Sequence, residues 1–252
     1  MDTTSNGKSS EQISVDNYNK QVGDLKYYDC PICKNKGLIA VLNSEGRMAF
    51  AKCKCSDVRK TNKRIVDSGL SDLIGEYQFD KYEATEDWQK QILAKAKEFV
   101  SDEQNKWFFI GGQSGSGKTH ICTGIVGELI KRGKAAMYML WRDDVVKLKA
   151  NVNNFDVYES LMNDFKTAPI LYIDDFFNVD KGKEPSPADV NIAFELLNYR
   201  YNNPDLITII SSEFTTKDII QIAENVGGRI HERTKQYRFN IAPDIKKNYR
   251  LR

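Results

Sequence analysis

The chain has 252 residues, 40% of them hydrophobic and 29% charged, with a net charge of +2. That length suits one large domain, or one domain and a small module. No apolar run approaches the roughly 20 residues that cross a bilayer, so no membrane partner is expected.

From the N-terminus, Met1 to Gln21 is polar and rich in Ser, Asn, Asp and Lys. It lacks the apolar core of a secretory signal, and residues 1–26 are expected to form a disordered tail on a cytoplasmic protein. Residues 27–57 make a second module. Cys30-Pro-Ile-Cys33, nineteen residues, then Cys53-Lys-Cys55 gives two close pairs at the spacing of a tetrathiolate zinc site. A disulfide pair competes with that reading, but nothing places the chain in an oxidising compartment. Gly37–Ala51 suits a short hairpin carrying Gly46. The window is too short to bury a core, so Zn²⁺ on Cys30, Cys33, Cys53 and Cys55 would supply much of its folding energy. A basic helix over Ser56–Ser68, ending at Gly69, belongs to a linker at 58–75.

Residues 76–252 read as one domain. Glu86–Asn105 is helical, with Trp88, Ile92, Ala96, Phe99 and Val100 on one side. Strand and helix then alternate: strand Trp107–Ile110, helix His120–Arg132, strand Ala135–Leu140, helices across Asp143–Lys166 and strand Ile170–Asp174. A helix over Ala188–Tyr201, a strand Ile207–Ser211, a helix Thr216–Asn225 and a strand near Tyr237–Ile241 complete the series. Nearly continuous apolar strands predict a parallel sheet covered on both faces. Cys122 falls inside a helix and reads as a small buried residue.

Between the first strand and helix of that series, Gly112-Gln113-Ser114-Gly115-Ser116-Gly117-Lys118-Thr119 fits G-x-x-x-x-G-K-[ST] at every position. Glycines let successive N–H groups turn inward as an anion nest at the open helix end, up to His120. Lys118 can reach the β- and γ-phosphates of a nucleoside triphosphate, and the Thr119 hydroxyl can ligate Mg²⁺. The apolar run Ile170–Ile173 ends in Asp174-Asp175. Asp174 would hold Mg²⁺, and Asp175 could act as general base on the attacking water. Leu206–Ile210 ends in Ser211-Ser212-Glu213, from which Ser212 or Glu213 could contact the γ-phosphate or the water. Six basic residues lie between Lys52 and Arg64 against Asp57, and eight lie between Gly228 and Arg252 against two acids. Each stretch reads as a phosphate-binding surface or a solvated helix face.

Together these features resemble the bacterial and phage helicase loaders of the DnaC/DnaI type, relatives of the IstB transposition helper among the AAA+ ATPases. The resemblance covers roughly Tyr27 to Arg252. It rests on the cysteine module, the glycine loop, the Ile-Asp-Asp and Ser-Ser-Glu strand ends, Gly228-Arg229-Ile230-His231-Glu232-Arg233 and Asn248-Tyr249-Arg250. It implies an α/β P-loop NTPase of AAA+ type, a three-layer sandwich on a parallel sheet, preceded by a small zinc-ribbon-like module. It implies ATP as nucleotide, a replicative helicase and single-stranded DNA as partners, and a homo-oligomer in the ATP-bound form. By the same resemblance Arg229 matches an arginine finger reaching a neighbouring subunit, and Arg250 matches a sensor of the γ-phosphate in its own subunit. Arg233 would be structural or lie on an interface. Two positions depart from the pattern. Glu213 stands where relatives carry asparagine, and Asp175 stands where many AAA+ enzymes carry glutamate, which suggests slow turnover. The chain also ends soon after its last strand, without the helical lid of many AAA+ proteins. The family places the adenine pocket upstream of the loop, with Phe79 and Tyr82 as candidates. Competing readings keep the fold but change the task, to a transposition helper on duplex DNA or to an adaptor that binds a host helicase or loader.

Overall fold

The computed structural model describes residues 8–67, 74–180 and 183–251. The chain divides into two compact units, Met1–Lys63 and Arg64–Arg252.

The first unit contains helix α1 (Ser10–Lys20) and an antiparallel hairpin, β1 (Leu38–Leu42) with β2 (Met48–Lys52). Helix α2 (Cys55–Asp67) starts here and crosses the boundary. The expectation of disorder over residues 1–26 meets a difference at α1. Ser9 caps that helix by accepting from the Gln12 N–H at 3.1 Å. Asn19 clips the helix to β1, its amide donating to the Ala40 carbonyl and accepting from the Ala40 N–H, both at 2.9 Å. Tyr18 meets Phe50 edge-on at 4.9 Å. A polar composition concealed a helix that docks by hydrogen bonds and one ring. Ser68 and Gly69, expected to end α2, lie outside the described residues.

The second unit is built on five parallel strands in the order β4-β5-β6-β3-β7. These are β3 (Trp107–Gly112), β4 (Ala136–Leu140), β5 (Ile170–Asp174), β6 (Ile207–Ser212) and β7 (Arg238–Ile241). Their residues are apolar almost throughout because both faces are covered. Side chains alternate between the faces. Phe108, Ile110, Tyr138, Tyr172 and Ile209 pack under α3 (Asp87–Ser101) and α4 (Lys118–Lys131). Trp107, Phe109, Met137, Met139, Leu171, Ile173 and Ile210 face a second layer. That layer holds α5 (Trp141–Ala150), α6 (Phe155–Thr167), α7 (Pro187–Tyr201), α8 (Thr216–Ile222) and α9 (Glu224–Arg233). This is the three-layer sandwich expected from the alternating pattern. One helix was missed: Ala223 is extended at φ −152° and splits the expected Thr216–Asn225 helix, after which α9 carries Val226 and Ile230 into the core.

Arg200 is fully buried at the end of α7. Burial pushes its guanidinium down to about 9, yet every arm is used. Nε donates to Thr208 Oγ1 at 2.9 Å, and the terminal nitrogens donate to the carbonyls of Phe165, Lys166, Ala168 and Ile207 at 2.6–3.0 Å. It ties the last turn of α6 to the start of β6.

Candidate nucleotide site and metal centre

The glycine loop joins β3 to α4 at the C-terminal ends of the strands, where parallel sheets collect ligands. Two glycines are required by the space around them. Gly112 has φ +104°, and a Cβ there would stand 2.1 Å from the Ile241 carbonyl oxygen; at Gly115, φ +70°, it would stand 2.0 Å from Asn248 Oδ1. Gln113 anchors the loop, its N–H donating to Ile241 O at 3.0 Å and its Oε1 accepting from Asp244 N–H at 2.8 Å. Lys118 is buried inside the loop and donates to the Gly112 and Gln113 carbonyls at 3.0 and 2.8 Å. Burial pulls its ammonium below the usual lysine range, against the opposing pull of Glu213, Asp175 and Asp174. A charge held only by neutral carbonyls can exchange them for phosphate oxygens.

A cavity of about 460 Å³ opens over this loop. Ser114 to His120 form its floor, Asp175, Asn178 and Glu213 one wall, and Tyr77, Lys81, Tyr82 and Glu83 another, with Tyr249 and Arg250 above. Thr119 Oγ1 lies 3.4 Å from Asp174 Oδ1, so the hydroxyl and the carboxylate expected to hold Mg²⁺ are adjacent. Asp175 has φ +53°, a left-handed backbone that turns its carboxylate into the cavity. Its acid is held above the usual carboxylate range, first by burial and then by Asp174, while Asn178 at 3.3 Å opposes the shift.

Ser212 is elsewhere. It is buried, donates to the Phe176 carbonyl at 2.7 Å and accepts from the Phe214 N–H at 3.0 Å, and it does not line the cavity. The reason is strand parity: Ser211 and Ile209 share the α4 face of β6, and Ser212 points to the other. Ser211 therefore meets Asp174, and Glu213, beyond the strand end, reaches the cavity. Counting from Ile209 would have found this in the sequence.

Arg250 enters the cavity on a strap formed by two short turns, Ile245–Lys247 and Tyr249–Leu251. Tyr249 N–H donates to Gly115 O at 2.8 Å, and its hydroxyl donates to the Glu83 carbonyl at 2.9 Å and accepts from Gln89. Arg229 is outside the cavity. It donates twice to Asn198 Oδ1, at 2.8 and 3.1 Å, and stacks over Phe194 at 4.7 Å. Of the two adenine-pocket candidates, Tyr82 lines the cavity, whereas Phe79 packs over Gly124. Missed by sequence reasoning was Tyr77, which stacks on His120 at 5.0 Å while His120 Nε2 donates to the Gln78 carbonyl at 2.8 Å. Apart from the family resemblance, which pointed to Phe79 and Tyr82, nothing in the sequence signals that residues 77–83 fold back over the loop.

In the first unit the four cysteine sulfurs all lie within 4.8 Å of one another and are buried. Cys30 to Cys53 is 3.8 Å and Cys33 to Cys55 is 3.5 Å, too long for disulfides. Tetrahedral zinc with bonds of about 2.3 Å sets its sulfurs about 3.8 Å apart, so the four thiols fit the ion. Burial alone would push Cys33 up, but the Gly37 N–H at 3.3 Å and the neighbouring thiols outweigh it and pull it down to about 6. Cys55 is pushed up to about 12 by burial, against the nearby Arg59 guanidinium.

Comparison with known proteins places this geometry in a family. The family described as IstB-like ATP binding protein matches residues 55–223. The chain belongs to the IstB-like ATP-binding proteins. Within reach of this family, the phage-like element PBSX protein XkdC of Bacillus subtilis (strain 168) is 31% identical over 225 residues, covering 85% of this chain and 82% of XkdC. The replicative helicase loader DnaC of Escherichia coli (strain K12) is 30% identical over 111 residues, covering 43% of this chain and 45% of DnaC. Among solved structures, that of DnaI superposes with a TM-score of 0.54 at 22% identity, covering 66% of this chain and 89% of DnaI. Among the described residues, no helix of this IstB-like chain is long and apolar enough to cross a membrane.

Proposed function

We propose that this chain is an ATP-dependent switch of DNA replication that delivers a replicative helicase onto single-stranded DNA. One observation carries the reading. Lys118, Thr119, Asp175, Glu213 and Arg250 come from separate segments and line a single cavity with the glycine loop, in an ATP-binding family with a helicase loader among its relatives. The loop amides and Lys118 hold the β- and γ-phosphates. Thr119 and Asp174 hold Mg²⁺, which when bound offsets charge on the phosphates. Asp175, which faces the cavity, takes the proton of the attacking water. Glu213 takes the sensing contact in place of Ser212, Arg250 reads the γ-phosphate within the subunit, and Arg229 completes a neighbour's site in an ATP-bound homo-oligomer. Hydrolysis is slow because Asp175 is shorter than glutamate.

The zinc module at 27–57, joined through the linker at 58–75, engages the helicase. Single-stranded DNA is taken by the domain at 76–252, where Phe155 (72% exposed) on α6 offers a stacking surface and the preceding helix α5 carries Lys147 and Lys149. A transposition helper on duplex DNA is the second reading, favoured by the family's description. The cysteine module speaks against it. Pull-down of the purified chain with a hexameric replicative helicase decides between them. Capture is expected, with Cys30→Ser abolishing it while ATP binding persists and Lys118→Ala abolishing ATP binding. Bending of duplex DNA without capture of any helicase would sink the loader reading. Asp175→Asn is expected to bind ATP and not hydrolyse it.

A further inference from the structure

The carboxylate of Asp174 is held by more donors than its burial requires. Tyr172, two residues earlier on β5, donates to Oδ1 at 2.7 Å. Ser211 donates to the same oxygen, as do the Asp175 N–H at 3.1 Å and Thr119 at 3.4 Å. Tyr138 comes from the neighbouring strand, where it pairs in register with Tyr172, and donates to Oδ2 at 2.9 Å. The two phenol rings lie 5.3 Å apart on the α4 face of the sheet. A phenol facing a carboxylate is the donor, so both hydroxyls donate here. A carboxylate has about four lone-pair positions. Oδ1 is filled by protein donors, and among the described residues Oδ2 accepts from Tyr138 alone.

We propose that Tyr138 and Tyr172 are positioning residues for Asp174, fixing the orientation in which its carboxylate meets Thr119 at the magnesium site. The proposal rests on the nucleotide reading above. Tyr172 holds Oδ1 and Tyr138 holds Oδ2, and together they block rotation about the Cβ–Cγ bond. A buried phenol needs one acceptor and could have used a carbonyl. Two phenols from adjacent strands meeting on opposite oxygens of one carboxylate fix an orientation. Partners of this kind, one step removed from a metal, change its affinity by about 10–100-fold when lost.

The test uses the full chain and a fluorescent ATP analogue, titrated in EDTA and then with increasing Mg²⁺. Tyr138→Phe and Tyr172→Phe keep the ring and lose only the donor. Each is expected to raise the Mg²⁺ concentration for half-maximal tightening of nucleotide binding about tenfold, with the EDTA affinity unchanged. An unchanged Mg²⁺ midpoint in both variants would overturn the proposal, as would equal losses in EDTA and Mg²⁺, which assign the phenols to packing alone. Should Tyr172→Phe not fold, Tyr138→Phe on the sheet's edge strand carries the test. Failure of the unaltered chain to bind nucleotide in either condition would instead overturn the nucleotide reading itself.

Discussion

The two units bury different chemistry. Among described residues of the first, the buried set is four thiols, Arg59 and two aliphatic side chains, Val15 and Ala40. The second encloses both faces of its sheet in aromatic and branched side chains, from Phe108 and Ile110 on one side to Phe109 and Ile173 on the other. A unit with two aliphatic core residues cannot offset the entropy of ordering its chain. It is expected to depend on an ion held by the four thiols, whereas the sheet domain is not. The sharpest way to break this contrast is to strip metal from the purified protein. Chelation is expected to unfold residues 8–63, because structural zinc contributes about 10–16 kcal/mol to small domains near neutral pH. The melting midpoint of the sheet domain should hold. Amide exchange read by segment checks both halves, and protection of the Ala40 and Cys53 amides that survives chelation would show the contrast to be false.

The second test asks whether the sheet domain truly stands on apolar packing alone. Arg200 is one exception inside it, a buried cation holding four carbonyls and a hydroxyl. Arg200→Met keeps the volume and removes the donors, leaving acceptors buried without partners. A loss of about 3 kcal/mol is expected in urea unfolding. A loss below about 1 kcal/mol would mean that water takes the vacated donor positions.

A smaller effect comes from the site itself. Asp175 has its folded acid range raised above 3.8 by burial and by Asp174. The folded state therefore holds this proton more tightly than the unfolded chain, and the group favours folding at low pH. That contribution is lost as pH rises from 3.8 through the raised folded value, so at neutral pH Asp175 costs stability. Asp175→Asn removes the titration and tolerates φ +53°. A modest rise in melting temperature at pH 7 and a flatter stability profile just above pH 3.8 are expected. A fall at pH 7 would mean that Asp175 is stabilised by partners instead.

The same contrast governs what the sequence could reveal. In the first unit the cysteine spacing made the metal site legible, because ligand geometry is set by a few residues. Helix α1 stayed hidden because it docks through Asn19 and Tyr18 with a single buried aliphatic residue, Val15. In the second unit, period and length gave the parallel sheet, and the glycine loop and Asp174 followed from motif. The wall at Tyr77–Glu83 and the strap at Tyr249 were legible only through the family resemblance, which pointed to Tyr82 and Arg250, since both reach the loop from distant chain positions through backbone bonds such as Tyr249 N–H to Gly115 O.

Strand parity provides the finest test of that legibility. Neighbouring serines on β6 have opposite surroundings, with Ser211 on Asp174 and Ser212 on the Phe176 carbonyl of the far face. Ser212→Ala should remove two neutral hydrogen bonds, to the Phe176 carbonyl and from the Phe214 N–H, costing about 2 kcal/mol of stability, and leave the Mg²⁺ midpoint for nucleotide binding where it was. Ser211→Ala should shift that midpoint upward, because it removes a donor from the carboxylate proposed to hold Mg²⁺. Side by side, titrations of the two variants separate a serine that belongs to the fold from one that belongs to the site. If Ser212→Ala moved the midpoint and Ser211→Ala did not, the alternation of β6 would be inverted, and Glu213 could not reach the cavity from where it stands.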